Sequence, residues 1–261
     1  MARIDIPLID CHTHIGHLPG ALHDAFTAED LIYIAEHEGV AFMLVSSAST
    51  STISQTFGTD EAIAMVEQHG DRLGGMLWIN PRDPAWRSDA ERAARHGFYG
   101  IKIHPVLDHY AVEREALDEV FQCAREHHWP ILTHADADGT TMSAARYEPL
   151  IVAYPEVVLI LAHLRLEAIP LAKRYENVYL DTTYMDPLMV EVGVDALGAD
   201  KILFGSDAAE GFEVGHAPGR VRPRRSYAEL IAGLRARGIS EAALRRIAYE
   251  NARELFGLKG K

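Results

Sequence analysis

Cysteine is scarce in this chain, with only Cys11 and Cys123 among 261 residues. Two cysteines so far apart in sequence cannot form a disulfide framework, so an apolar core must hold the fold together. This scarcity fits a protein of a reducing compartment.

Long apolar runs are absent as well. No stretch approaches the roughly 18 apolar residues that a membrane span requires. The first residues include Arg3, Asp5 and Asp10 and lack the apolar centre of a signal peptide. We therefore expect a soluble, cytoplasmic protein with no membrane partner.

Positive charge is in the minority, because 25 Lys and Arg stand against 38 Asp and Glu and give a formal net charge of −13. A protein that binds the phosphate backbone needs a basic face that releases counterions, so we expect no nucleic-acid partner. A small molecule is the expected partner. The length fits one large domain or two small ones, and without a linker-like segment we predict a single domain over residues 1–261.

Short apolar runs recur along the chain, and most are continuous, as is typical of parallel strands buried on both faces. The eight runs are Pro7–Cys11, Val40–Ser46, Gly74–Asn80, Phe98–His104, Pro130–His134, Val157–His163, Val178–Thr182 and Lys201–Ser206.

Helical patterns lie between these runs. One begins at Thr27, has an acid three residues later and ends at Gly39, and another covers Glu113–His127. Two more are predicted at the end of the chain, over Ser226–Arg237 and Ser240–Phe256. This alternation predicts an α/β fold, a (β/α)8 TIM barrel with additional C-terminal helices.

The alternative fold is a doubly wound open sheet, which ordinarily has a glycine-rich phosphate loop after its first strand. Here that position holds Cys11-His12-Thr13-His14 instead, which favours the barrel. The longest unassigned segment, Ala208–Arg225, carries Glu210, His216 and Arg220 and is either a substrate loop at the barrel mouth or plain surface.

Histidine is abundant, with 14 residues, and several stand where strands end. His12 and His14 are two positions apart, so on a strand they point the same way and can chelate one ion. Three other predicted strands end in His134, His163 and Asp207. Because the carboxyl ends of barrel strands meet at one mouth, five candidate ligands should converge there.

Histidines with one carboxylate form a catalytic first-row metal site, most often for zinc, with iron or manganese as alternatives. Lys102 lies in an apolar strand and is either part of this site or a lysine at the edge of the core. His104 should share its face and is a candidate substrate contact or merely a residue of the strand end. Cys11 alternates with the chelating pair and should point away from it.

These residues resemble the amidohydrolase superfamily over nearly the whole chain. The matching segments are Asp10-Cys11-His12-Thr13-His14, Lys102, His134, His163, Gly205-Ser206-Asp207 and Asn251–Phe256. The short chain is most similar to the amidohydrolase-related (amidohydrolase 2) group, which includes hydrolases and the aminocarboxymuconate semialdehyde type of decarboxylase.

The resemblance implies a mononuclear metal site made by His12, His14, His134 and Asp207. It gives His163 the task of steering water or the reacting carbonyl. In binuclear members a carboxylated strand-four lysine bridges two metals and the strand-six histidine binds the second, so Lys102 and His163 become ligands in that state. One metal is the preferred count, with two as the alternative.

The leading hypothesis is a metal-dependent hydrolase that attacks a small amide, lactone or ester with a metal-activated water. In it Asp207 moves the proton and His163 hydrogen-bonds the developing oxyanion. One alternative is non-oxidative decarboxylation of a small unsaturated or aromatic acid. Arg165 motivates that alternative because it can pair with a substrate carboxylate, although a surface ion pair is the simpler interpretation.

A non-catalytic barrel that binds a metal or a metabolite is the third hypothesis. Tyr184 follows the seventh predicted strand in a loop that can reach substrate, so it is a candidate contact beside His104 and Arg165. A homodimer is left open by analogy with other barrels of this kind.

Overall fold

The computed structural model describes residues 5–18, 25–135, 140–208, 212–214, 221–223 and 226–258. Eight parallel strands follow one another in chain order around one sheet. They are β1 Ile9–Ile15, β2 Phe42–Ser47, β3 Leu73–Trp78, β4 Gly100–Ile103, β5 Ile131–Thr133, β6 Leu159–Leu161, β7 Val178–Asp181 and β8 Ile202–Leu203. Each overlaps one of the eight predicted runs, and β1 extends beyond its run to Ile15.

Helices connect the strands and complete the chain after β8. They are α1 Ala28–Glu38, α2 Ser49–Thr52, α3 Gln55–His69, α4 Trp86–Arg95, α5 Arg114–His127, α6 Glu148–Ala153, α7 Ile169–Arg174, α8 Pro187–Leu197, α9 Tyr227–Ala236, α10 Glu241–Arg245 and α11 Asn251–Leu255. Short 3-10 turns cover Ala144–Tyr147, Ala162–Leu164, Leu166–Ala168 and Ala199–Lys201. None of the described helices is long and apolar enough to cross a bilayer.

The barrel closes where β1 meets the residues after β8. The backbone N–H of Cys11 donates to Phe204 O at 3.0 Å, and the N–H of Asp207 donates to His12 O at 2.8 Å. The N–H of His14 completes the junction by donating to Ala208 O at 2.7 Å. The predicted TIM barrel with C-terminal helices is therefore confirmed, and the open sheet is wrong.

Local sequence explains the helix bounds. Thr27 and Asp30 form the capping box of α1, in which each side chain accepts from the other residue's backbone N–H. Gly39 ends α1 with φ 76°, a left-handed conformation that glycine adopts without steric cost. Both ends of this helix were predicted from the sequence.

The predicted helix Ser240–Phe256 is interrupted by a π-helical turn over Arg246–Glu250. The carbonyl of Ile247 accepts the backbone N–H of Phe204 at 2.9 Å, so this turn is tied to the end of β8. Asn251 adds a second tie, since its side-chain amide donates to Ala199 O and Ile202 O, both at 2.7 Å. Tertiary hydrogen bonds, which periodicity does not encode, account for the interruption.

Two apolar clusters alternate along the strands. The outer one packs the strands against the helices through residues such as Met43, Ile101 and Leu180. The inner one fills the barrel and is continued by Phe256 and Leu258 from the C-terminal helices. The C-terminal segment therefore covers the end of the barrel interior that lies opposite the strand-end histidines.

Cys11 packs in the inner apolar cluster and is not among the three grouped ligand residues. The register between β1 and β2 shifts between Asp10 and Thr13, which is a β-bulge. The extra residue breaks the strict alternation and allows Cys11 and His12 to face inward together.

The segment predicted as a loop, Ala208–Arg225, contains two short antiparallel strands, β9 Phe212–Val214 and β10 Val221–Pro223. Glu210, His216 and Arg220 lie outside the described residues.

Candidate metal centre

Three side chains from the β1–β8 junction converge at the barrel mouth. His14 Nε2 lies 3.0 Å and His12 Nε2 lies 3.5 Å from Asp207 Oδ1. All three residues are buried, and their ligand atoms lie within 4.8 Å of one another. Among the residues that the structure describes, this is the one group of His, Cys, Asp or Glu with such spacing.

Side chains from two other strands fix the direction of both imidazoles. His12 Nδ1 lies 2.8 Å from Asp181 Oδ2 at the end of β7. His14 Nδ1 lies 2.9 Å from Ser46 Oγ on β2. Each ring therefore presents Nε2 to the shared point, and a carboxylate behind a histidine is the usual support of a metal ligand. The donor set and its supporting contacts fit a divalent metal ion.

Burial and charge set the ionisation of this group. Burial by itself would raise the pKa of Asp207, but His12 and His14 beside it hold that pKa well below its ordinary value. Burial lowers the pKa of His14 to about 4, against the opposing effect of Asp207. At neutral pH the site thus holds an ionised carboxylate beside a neutral imidazole, the protonation states that metal binding requires.

Asp181 is ionised for a related reason. Burial raises its pKa, but the charge and hydrogen bond of His12 outweigh burial and bring the pKa to about 2. Its second oxygen, Oδ1, accepts the backbone N–H of His163 at 2.8 Å and of Thr183 at 3.1 Å. One carboxylate therefore orients a candidate ligand and also fixes the turn that carries His163.

Lys102 lies inside the barrel beside the candidate ligands. It is only 1% exposed, and Nζ lies 2.7 Å from His12 Nε2. Lys102 also lines a small enclosed cavity of about 10 Å³, the space of about one water molecule or ion. The full lining is His12, His14, Leu18, Trp78, Lys102, His104, Leu107, His134, His163 and Asp207.

His134 lines the same cavity but stands outside the group of three ligand atoms. Its Nδ1 lies 2.9 Å from His163 Nε2, and its ring stacks on His104 with centroids 4.4 Å apart. Of the four mononuclear ligands implied by the resemblance, the structure brings His12, His14 and Asp207 together and leaves His134 turned toward His163.

His163 has the left-handed backbone angle φ 72°, and its side chain is buried. Burial lowers its pKa to about 4, so the ring is neutral at physiological pH. Nδ1 of His163 is buried and has no hydrogen-bond partner among the described residues. An unpaired ring nitrogen in a cavity wall is available to a ligand.

His104 continues the cavity wall. Burial, followed by the charge of Lys102, holds its pKa well below the ordinary value. Nδ1 of His104 accepts the backbone N–H of Leu107 at 3.4 Å, so Nε2 carries the proton of the neutral ring. Trp78 stacks on the other face with centroids 5.7 Å apart, and its Nε1 donates to Asp108 at 3.0 Å.

The two other candidate substrate contacts lie farther out. Tyr184 is 50% exposed and stacks on His163 with centroids 5.7 Å apart. Arg165 is half-buried and does not line the small cavity, but its Nε is buried without a hydrogen-bond partner in the described part of the chain. A surface ion pair, the simpler interpretation of Arg165, is not present among the described residues.

Sequence reasoning missed two residues of the site, Asp181 and Ser46. The sequence did contain a signal for Asp181, because this residue ends the apolar strand β7. The candidate ligands His134 and Asp207 were predicted from similar positions at the ends of their apolar runs. Ser46 carried none, because a serine near the end of a strand is common and its partner is 32 positions away.

Comparisons with known proteins agree with this fold. Residues 9–258 match the family model described as amidohydrolase. A search among proteins with curated descriptions gave no match. Three similar solved structures, each at low sequence identity, illustrate the range of enzymes with this fold.

The first is a probable 2-pyrone-4,6-dicarboxylic acid hydrolase from Acinetobacter baumannii with citric acid bound, at 12% identity and TM-score 0.70, covering 97% of this chain and 100% of that one. The second is 5-carboxyvanillate decarboxylase from Novosphingobium aromaticivorans with bound manganese, at 15% identity and TM-score 0.74, covering 97% of both chains. The third is 4-oxalomesaconate hydratase from Rhodopseudomonas palustris, at 14% identity and TM-score 0.69. The match covers 96% of this chain and 95% of that one.

At these identities the likeness to solved structures establishes the fold alone. The family model covers nearly the whole chain. The chain therefore belongs to the amidohydrolase superfamily of metal-dependent enzymes.

Proposed function

We propose that this protein is a hydrolase that cleaves a small amide, lactone or ester. The observation that carries the proposal is the convergence of His12 Nε2, His14 Nε2 and Asp207 Oδ1 beside the unpaired Nδ1 of His163 in one buried cavity. Ligand atoms for an ion and a free hydrogen-bonding group for a reacting oxygen are the two parts that acyl hydrolysis needs.

His12, His14 and Asp207 would hold the metal in this proposal. His134 would become a fourth ligand only in an alternative rotamer that gives up its contact with His163. A divalent metal held there, zinc or manganese, would act as a Lewis acid and would lower the pKa of water toward neutrality. Asp207 accepts the proton of the attacking water and delivers it to the leaving nitrogen or oxygen. The depressed pKa of Asp207 keeps this carboxylate ionised at neutral pH.

His163 donates a hydrogen bond to the developing oxyanion. If His134 donates Nδ1–H across the 2.9 Å contact, His163 Nε2 accepts it. A neutral imidazole carries one ring proton, so that proton is then on His163 Nδ1, the nitrogen without a partner. His134 therefore selects the tautomer of His163 that can stabilise negative charge.

Lys102 favours hydrolysis over decarboxylation. Its ammonium is buried 2.7 Å from a candidate ligand, at the position where binuclear hydrolases of the superfamily carry a bridging carboxylated lysine. In a one-metal site Lys102 would contact substrate, and in a two-metal site Lys102 and His163 would hold the second ion.

Non-oxidative decarboxylation of an unsaturated or aromatic acid is the second candidate function. Arg165 supports it, because a half-buried guanidinium without an ion-pair partner among the described residues is suited to a substrate carboxylate. The names of similar structures, which include decarboxylases of aromatic acids, point the same way. His104 and Tyr184 would contact the substrate's ring in either reaction.

A paired assay separates the two functions. The protein is loaded with zinc or manganese and incubated with a panel of amides, lactones and esters and a panel of unsaturated and aromatic acids, while acid release and CO2 release are recorded. We expect hydrolysis, and we expect Asp207→Asn to lower kcat by about a hundredfold or more with little change in substrate affinity.

The matched control is Asp195→Asn, a change at an exposed aspartate of α8. It should retain wild-type turnover. Release of CO2 without hydrolysis would support the decarboxylase function. A kcat near the wild-type value in Asp207→Asn would contradict the role of Asp207 in proton transfer in both candidate functions.

A further inference from the structure

A buried cluster behind the metal centre joins Asp10, Ser206 and Tyr227. Asp10 is fully buried and faces away from the cavity toward α9. Its Oδ2 accepts the hydroxyl of Ser206 at 2.5 Å and that of Tyr227 at 2.8 Å. Its Oδ1 accepts two backbone N–H groups, that of Ser206 at 3.1 Å and that of His12 at 3.2 Å.

The backbone groups that this cluster binds belong to the candidate ligands or flank them. One is the N–H of His12 itself, and another is the N–H of Ser206, the residue before Asp207. The Ser206 hydroxyl also accepts the N–H of Ala208 at 3.0 Å, so both neighbours of Asp207 are held. Asp207 lies between them with φ 59°, a left-handed conformation that costs an aspartate about 1 kcal/mol or more.

Tyr227 connects this cluster to a separate element. It is the first residue of α9, and its backbone N–H donates to Glu38 Oε2 of α1 at 2.9 Å. Its ring packs on Phe204 with centroids 5.1 Å apart, and its hydroxyl also lies 2.7 Å from Ser206 Oγ. Contacts with Glu38 and Phe204 thus fix the position of Tyr227. Its hydroxyl contacts Asp10 and Ser206, the two residues that hold Asp207.

We propose that Tyr227 is a positioning residue of the metal centre, which acts through Asp10 and Ser206 to hold Asp207 and His12 at chelating distance. This inference rests on the proposed metal site and assigns a task to a residue that contacts neither the ion nor the substrate. Without the Tyr227 hydroxyl, Asp10 and Ser206 lose their link to α9. The left-handed turn at Asp207 then relaxes more easily to a geometry in which its oxygen leaves His14.

The test measures metal affinity directly, apart from catalysis. The full chain is freed of metal with a chelator, and the dissociation constants for Zn²⁺ and Mn²⁺ are determined by competition with a fluorescent indicator. Tyr227→Phe removes one hydroxyl and keeps the ring on Phe204. We expect its affinity to fall about tenfold, the lower end of what loss of a ligand's supporting partner costs.

Tyr154→Phe is the matched control. Tyr154 is also buried, and its hydroxyl donates to Asp118 O at 3.1 Å, away from the candidate ligands. Urea unfolding of the metal-free proteins measures the stability lost in each variant. A purely structural role predicts lower stability in both and wild-type affinity in both, whereas positioning predicts weaker metal binding in Tyr227→Phe alone.

Ser206→Ala gives an independent check if Tyr227→Phe does not fold. It leaves Tyr227 bonded to Asp10 but removes the hydroxyl that holds Ala208, so its affinity should fall as well. Wild-type affinity in either folded variant overturns the positioning role while leaving the metal site intact. A wild-type protein that binds no metal overturns both proposals, and one that binds metal without hydrolysing the panel overturns the proposed reaction alone.

Discussion

Three residues around the metal centre have left-handed backbone conformations. They are His163, Tyr184 and Asp207, with φ of 72°, 59° and 59°, and each follows a barrel strand closely. Such angles cost non-glycine residues about 1–3 kcal/mol and persist only where surrounding contacts hold them. Here Asp181 holds His163 through its backbone N–H, and His12 holds Asp207 through its carbonyl.

Asp181→Asn should weaken metal binding about 10- to 100-fold, because the amide cannot replace the ionised carboxylate behind His12 Nδ1. Competition with a fluorescent chelator measures the effect. Asp195→Asn, at the surface of α8, is the matched control and should bind metal as the wild type does. Equal affinity of the two variants would show that His12 does not depend on this carboxylate.

At the residue scale, the sequence predicts a candidate ligand where the pattern lies within a single strand. His12 and His14 are two positions apart on β1, and Asp207 follows an apolar run, so local spacing identified them. Asp181 and Ser46 were missed because their importance depends on which strand ends the closed barrel brings close to β1: β2 pairs with β1, and β7 lies two strands away across the closure. The orientation of His134 toward His163 depends on side-chain rotation, which the sequence does not record.

At the scale of elements, the eight strands and the caps of α1 follow from local patterns, while the π-helical turn does not. That turn exists because Ile247 O accepts the N–H of Phe204 from β8. The same C-terminal region places Phe256, 6% exposed, in the inner cluster with Ile9 and Leu203. The last helices are therefore part of the barrel's interior packing.

Phe256→Ala should lower the free energy of unfolding by about 3–4 kcal/mol, since it removes a buried ring and leaves a cavity at the end of the barrel opposite the metal centre. Chemical denaturation measures this loss. Metal affinity of the folded fraction should stay within about twofold of wild type. A large fall in affinity would mean that packing at this end controls the geometry of the ligands.

At the scale of the whole molecule, one barrel buries an unusual number of neutral histidines at its mouth. Burial lowers the pKa of His14 and His163 to about 4 and that of His104 well below its ordinary value. Burial raises the pKa of Asp10 to about 6 against the hydrogen bonds of Ser206 and Tyr227. These shifts make stability depend on pH in a predictable direction.

The metal-free protein should lose stability as pH falls from about 6.5 to about 4. In that pH range the histidines of the unfolded chain bind protons, whereas the buried histidines of the folded protein stay neutral. The unfolded state therefore binds more protons, and the free energy of unfolding falls as pH falls. Asp10 acts in the opposite sense, since its folded form keeps a proton up to about pH 6. Three histidines outweigh one carboxyl, which gives a slope of up to about 3 kcal/mol per pH unit.

Urea unfolding at several pH values, with chelator present, measures this slope. His104→Gln should make this slope smaller, because it lowers by about one the number of protons that the unfolded state binds in excess of the folded state. A stability that stays constant between pH 6.5 and pH 4 would contradict the burial of neutral histidines.

The junction between β1 and the end of β8 determines when, during synthesis of the chain, the three candidate ligands can come together. Asp10 and Ser206, whose contact flanks the ligands, are 196 positions apart. A ribosome-bound or truncated chain that ends before β8 has the two imidazoles of β1 but no carboxylate to complete the group. If the proposed site binds metal, a chain that ends before Asp207 should therefore bind the ion more weakly than the full chain.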